Sequence, residues 1–300
     1  MLAKQTMAKI DGMIFSDQGA GFRKLLGKYM PLADDAYREY DPPFRAKLGG
    51  SIMGRECARE IWYSFRWTTK KQFDGRLLRL FNRGHLEEAR FLAMLEMIGC
   101  EVWATTLGGG QFKVTGHDGH SGGTLDAIIR GIPECPTVAL LGEFKTHNTK
   151  NFLKLKTEGL LRAKWEHYIQ MQIYMGRQSL VGGLYLAVNK DTDELHGELV
   201  AFDAIAFARA NERAAMIISA KTAPPRIGKD ATWFKCKFCD QRGVCHGKVL
   251  PAVTCRSCVH VQVAEGGRWL CGLNGKVLTT EEQMVACPSY SLMVREFKSK

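Results

Sequence analysis

Apolar residues recur at helical spacing in SIMGRECAREIWYSFRW, where Ile61, Trp62 and Phe65 predict an amphipathic helix with Cys57 on it or just before it. A second helix is expected from about Leu86 to Ile98. The pattern then changes. GGTLDAIIRG and TVALLGEFKTH are apolar, β-rich and bounded by Gly and Pro, which is how buried strands read. LLRAKWEHYIQMQIYMGRQ returns to helical spacing, with Leu161, Trp165, Tyr168 and Met175 as its expected core stripe. VGGLYLAVN and GELVAFD are strand-like, a helix is expected from about Ala204 to Ala220, and PPRIG marks a turn. Strands alternating with helices predict an α/β fold, a mixed central β-sheet flanked by helices. Residues 1–50 read as an N-terminal helical and loop extension, 51–250 as the core, and 251–300 as a small Cys-rich C-terminal module.

Composition narrows the setting. A chain of 300 residues permits a core of roughly 200 with appended pieces. No stretch approaches the ~20 apolar residues of a membrane span, and the first residues lack the apolar run of a secretory signal. The expectation is a cytoplasmic protein of a bacterium or a phage-infected host, with no membrane partner. Ten cysteines in that setting read as reduced thiols and metal ligands rather than disulfides. The formal charge is +11. It falls to roughly +7 if two four-cysteine centres form, and that basic balance suits a phosphate backbone, so DNA is the expected partner.

The acidic residues carry the chemistry. Glu143 and Lys145 stand two apart in TVALLGEFKTH, so on a strand they share one face while Phe144 takes the other. Asp126, in GGTLDAII, lies upstream at a distance that a hairpin spans. Two neighbouring carboxylates repel unless a hard cation sits between them, which suits Mg2+ or Mn2+. Such an ion polarises a phosphodiester and lowers the pKa of a bound water. Lys145 would orient the attacking water or balance charge on the phosphate. By itself, an acid and a lysine alternating on a strand is more often a solvated face. Two neighbours shift that balance. Glu88, four residues after Gly84, can supply a third carboxylate, and Gln170 and Tyr174 share a helix face suited to contacts with a phosphate or a base. His85 competes with Glu88, and GHDGHSGG adds His117, Asp118 and His120 in a Gly-rich loop.

The ordered set of Gly84 with Glu88, Asp126 in GTLD, Glu143, Lys145 and Thr146 in EFKT, and Gln170 with Tyr174 resembles the RecB-like branch of the PD-(D/E)XK nuclease superfamily. The flanking cysteines resemble its iron–sulfur subset, which includes the CRISPR adaptation nucleases and AddB-type helicase–nucleases. The resemblance spans roughly Ser51 to Gly247. It implies a restriction-endonuclease-like core and a metal-dependent deoxyribonuclease, often an exonuclease on DNA ends or single strands. It further implies Glu88, Asp126, Glu143 and the Phe144 carbonyl as ligands of Mg2+ or Mn2+, with Lys145 catalytic. Many relatives carry His where this chain has Glu88. A stand-alone chain of this size fits a phage or mobile-element exonuclease of recombination and repair, served by a recombinase, helicase or other protein that supplies DNA ends.

Cys57 with Cys236, Cys239 and Cys245 matches the [4Fe–4S] arrangement of that subset, although four thiolates also serve Zn2+. The tail supplies Cys255, Cys258, Cys271 and Cys287, for which structural Zn2+ is the natural reading, with His260 as a substitute ligand. Cys100 and Cys135 read as ordinary thiols. Two rival readings are a non-catalytic DNA-binding adaptor on the same fold and an iron–sulfur redox protein. A binding module has no need of Asp126, Glu143 and Lys145 together.

Overall fold

Strand β6 (Leu140–His147) alternates its side chains between two apolar layers, and the main core is built around that alternation. The computed structural model describes residues 1–32 and 43–293. These fall into two compact units that interleave along the chain. The first takes in residues 1–32, 73–114 and 124–207, and the second 43–72, 115–123 and 208–293. The boundaries expected near residues 50 and 250 both lie inside the second unit.

In the first unit, a five-stranded mixed sheet runs in the order β2–β5–β6–β7–β8. Its strands are β2 (Glu101–Trp103), β5 (Ala127–Arg130), β6, β7 (Gly182–Asn189) and β8 (Leu195–Ala201). Only β6 and β7 pair in parallel, with Glu143 opposite Tyr185, and the other neighbours are antiparallel. A parallel pair needs a crossover. Helices α5 (Thr149–Ala163) and α6 (Trp165–Gln178) supply it and cover one face, where Phe152, Leu155, Met171 and Met175 pack on Leu141, Tyr185 and Ala187. The other face carries Leu140, Phe144, Leu184 and Leu186, packed against α1 (Lys4–Ser16), α2 (Ala20–Tyr29) and α4 (Gly75–Met97). The mixed α/β architecture expected from the sequence is present, with helices on both faces of the sheet.

Two local expectations shift. Helix α4 begins eleven residues before Leu86, capped by the Asp74 side chain, which accepts from Leu77 N at 2.7 Å. Its first turns expose Leu78 and Phe81, so the apolar periodicity there marks no core face. The expected stripe of Leu161, Trp165, Tyr168 and Met175 is also corrected. Leu161 and Trp165 are half-exposed. Gly159 adopts φ +73° and ψ 165°, and the chain breaks again at Lys164, so Leu161 and Trp165 belong to different helices and do not share a phase. The buried positions are Leu160, Ile169, Met171, Tyr174 and Met175.

The second unit holds β1 (Leu48–Gly49), paired in parallel with β4 (Ser121–Thr124), in a small sheet ordered β1–β4–β3, where β3 is Lys113–Gly116. Helix α3 (Ala58–Phe65) starts at Cys57, whose sulfur accepts from Glu60 N at 3.4 Å. After α7 (Ala204–Ser219) come the short turns α8 (Phe234–Lys237) and α9 (Arg242–Cys245). The tail forms the antiparallel sheet β9 (Val261–Ala264), β10 (Arg268–Cys271) and β11 (Val277–Leu278), followed by α10 (Thr280–Met284). Arg256 lies between Trp67 at 3.8 Å and Trp269 at 4.3 Å, so its charge rests on aromatic faces within this unit.

Candidate active site

Antiparallel pairing of β5 and β6 sets Ala127 opposite Gly142, and one further step along that register brings Asp126 opposite Glu143. The Phe144 N–H donates to Asp126 Oδ2 at 2.8 Å, which fixes the carboxylate at the strand end. Glu143 and Lys145 project together from the face covered by α5 and α6. The Lys145 ammonium bonds Glu143 Oε1, donates to the Phe144 carbonyl at 3.0 Å and stands 3.9 Å from Asp126 Oδ2. From α6, Gln170 Nε2 donates to the same Glu143 Oε1 at 2.8 Å. Tyr174, one turn on, is buried.

Glu143 is fully buried, and its Oε2 accepts no hydrogen bond among the described residues. A buried carboxylate oxygen without a partner is costly unless a cation or a proton satisfies it. Burial pushes the Glu143 carboxyl above its ordinary range and Asp126 adds to the rise, against the downward pull of Lys145. For Lys145, burial works against the charge, but Glu143 and Asp126 outweigh it and hold the ammonium charged. Two acids and one ammonium thus share a site with a vacant acceptor oxygen, a donor set suited to a hard divalent cation.

Glu88 is half-buried on α4. Three residues later Phe91 packs its ring 5.1 Å from Phe144, on the sheet face opposite Glu143 and Lys145. What the structure brings together on one face is therefore Asp126, Glu143, Lys145 and Gln170. The buried acid of α4 is Glu87, raised by burial and held 3.4 Å from Arg90.

A polar cluster beside the site escaped the sequence reading. The Tyr185 hydroxyl bonds His147 Nε2 at 2.9 Å and His167 Nδ1 at 2.9 Å, and the two imidazoles stack with centroids 5.9 Å apart. Burial, reinforced by the charges of Lys164 and Lys145, pushes His147 down to about 4. Burial and then Lys145 push His167 down to about 3, so both rings are neutral at physiological pH. The signal was present in the spacing: His147 follows Lys145 by two residues on one strand face, and His167 precedes Gln170 by three on one helix face.

In the second unit, burial raises the Cys236 and Cys239 thiols, and each feels Cys57 and Cys245 as neighbours. Gln241, buried inside the CKFCDQRGVC run, accepts from Thr68 at 3.1 Å and from Thr69 at 2.6 Å, and donates to Ser64 at 3.3 Å, tying that loop to α3. Burial likewise raises the Cys255 thiol, and nearby Cys287, Cys258 and Cys271 add to the rise. Among the described residues, however, no three His, Cys, Asp or Glu side chains are drawn together as a ready metal cage. The loop histidines serve structure: His117 bonds Ser121 and the Asn211 carbonyl, and His120 bonds the Ala264 carbonyl at 2.7 Å.

No protein-family model matches the chain, and no curated protein matches it. Solved structures give distant likenesses. That of SSO0001 covers 76% of this chain and 96% of its own at 16% identity and a TM-score of 0.40. LHK-Exo in complex with dAMP covers 64% of this chain and 90% of its own at 13% identity and a TM-score of 0.40. The alkaline exonuclease LHK-Exo from Laribacter hongkongensis covers 57% and 86%, at 13% identity and a TM-score of 0.39. Among the described residues no helix is long and apolar enough to cross a membrane.

Proposed function

We propose that the chain is a Mg2+- or Mn2+-dependent deoxyribonuclease of the RecB-like PD-(D/E)XK type, acting as an exonuclease on DNA ends or single strands. The observation that carries this reading is the buried Glu143 carboxylate, with one oxygen unpartnered among the described residues, set beside Asp126 and Lys145 on one sheet face. Asp126, Glu143 and the Phe144 carbonyl would hold the ion. Glu88 is assigned as a further ligand on the family resemblance alone. The ion, when bound, supplies Lewis-acid polarisation of the phosphodiester.

The chain's own groups do the rest. Gln170 holds one oxygen of Glu143 and so aims the other. Phe144 N–H holds Asp126. Lys145 carries its positive charge to the reacting phosphate and orients the attacking water, a role that needs the ammonium kept charged inside the protein. Tyr174 stands on the Gln170 face of α6 for contact with the substrate.

Cys57, Cys236, Cys239 and Cys245 would hold a [4Fe–4S] cluster, and Cys255, Cys258, Cys271 and Cys287 a structural Zn2+. The support for both is the spacing of the cysteines along the chain and the chemistry of four thiolates. Their role is to stabilise the fold of the second unit. The biological setting inferred from this reading is recombination, repair or phage DNA metabolism. The decisive assay is digestion of end-labelled DNA with Mn2+ and with excess chelator. Shortening of the label only with the ion supports the reading, and DNA left intact under both conditions contradicts it.

A further inference from the structure

Two phenylalanines stand out from the surface of the second unit. Phe234 is 64% exposed and Phe238 82% exposed. They lie four apart across the single turn of α8, Phe234 opening it and Phe238 capping it, so both rings emerge on one side. The base under them is fixed. Trp233 meets the Phe234 ring edge-on at 5.3 Å and packs its own ring so closely on Gly228 that a Cβ there would come within 2.6 Å of it. Gln241 ties the following turn to the chain around α3.

Lysines are set among the rings. Lys235 lies 5.7 Å from the Phe234 centroid, and Lys237 lies 5.6 Å from that of Phe238. Around this turn Arg226, Lys229, Lys235, Lys237, Arg242 and Lys248 outnumber Asp230 and Asp240. An apolar protein surface is a poor match for so many cations, whereas a polyanion that alternates a flat π-face with a phosphate matches both the rings and the charges. Only an unpaired strand has that face to offer, since in a duplex each base is covered by its stacked neighbours.

We infer that Phe234 and Phe238 form a stacking platform for the bases of single-stranded DNA, with Lys237 and its basic neighbours meeting the phosphates. The inference rests on the nuclease reading above for the choice of DNA, and it narrows the substrate to an unpaired strand. Stacking tolerates any base, so the platform selects strandedness and not sequence. Rings already held on a fixed turn lose little freedom on binding.

Fluorescence anisotropy of a labelled oligothymidylate and of a duplex of equal length, both in excess chelator so that neither is cut, tests this on the intact protein. Phe234→Leu and Phe238→Leu keep the apolar bulk and remove the π-face. Each is expected to weaken single-strand binding on the order of tenfold while duplex binding changes by less than about twofold, and Phe238→Trp is expected to bind the single strand at least as tightly as the unaltered chain. Unchanged single-strand binding by leucine variants with native circular dichroism, the result a protein-docking surface would give, overturns the platform. An equal loss on both DNAs overturns it as well. Digestion of end-labelled DNA with Mn2+ by the unaltered chain keeps the two readings apart: digestion with unchanged binding in the leucine variants removes the platform alone, and ring-dependent binding without digestion removes the nuclease reading alone.

Discussion

Gln170 Nε2 donates to Glu143 Oε1 at 2.8 Å, the hydrogen bond that reaches from helix α6 into the carboxylate site. A neutral donor on a buried carboxylate is worth about 1.5–3 kcal/mol. Gln170→Met keeps the volume and removes the donor. Cleavage by this variant should fall roughly tenfold to a hundredfold in kcat, with KM for DNA changed far less, as read from initial rates on end-labelled substrate.

Stability should fall in acid because of His147 and His167. Their imidazoles titrate at about 4 and about 3 in the folded chain and near the ordinary 6.5 when unfolded. The unfolded state therefore takes up protons first as pH drops. The contribution is complete above pH 6.5 and is lost as pH falls through the window down to about 4 and about 3. His147 alone should account for on the order of 2 kcal/mol between pH 6.5 and 5. Urea unfolding at several pH values checks this, and His167→Gln should flatten the slope.

Gly159 sits at φ +73° with an extended ψ, backbone that only glycine adopts freely, and the next N–H, of Leu160, donates to Glu198 at 3.0 Å. Gly159→Ala should cost about 1–3 kcal/mol by urea unfolding. Gly84→Ala, on a helix with open space around its Cα, should be neutral or stabilising.

Much of the site could be read from residue order because strand alternation alone puts Glu143 and Lys145 on one face, and a hairpin suffices to deliver Asp126. Gln170 was equally visible from its place on α6. The Tyr185, His147 and His167 cluster was not, because it depends on which strand pairs with β6 and in what register, a non-local fact that local spacing does not carry. The α6 core stripe failed for a local reason, the break at Gly159. In residues 1–32, Ile10 of α1 and Tyr29 of α2 join the core beside α4. Gln241 was hidden among the cysteines that drew attention to its loop.

The two cysteine groups should separate in metal analysis. Cys239→Ala should remove the brown absorbance and the iron while leaving zinc, and Cys258→Ser should remove zinc while leaving iron. Purified protein with neither metal, folded and active, would refute both assignments.

Asp126 gives the most direct test of the central claim, because its carboxylate is anchored by the Phe144 N–H and faces the Lys145 ammonium. Asp126→Ala should abolish Mn2+-dependent digestion of end-labelled DNA while DNA binding, measured by gel shift, persists. Undiminished digestion by the folded Asp126→Ala protein would contradict the assigned site.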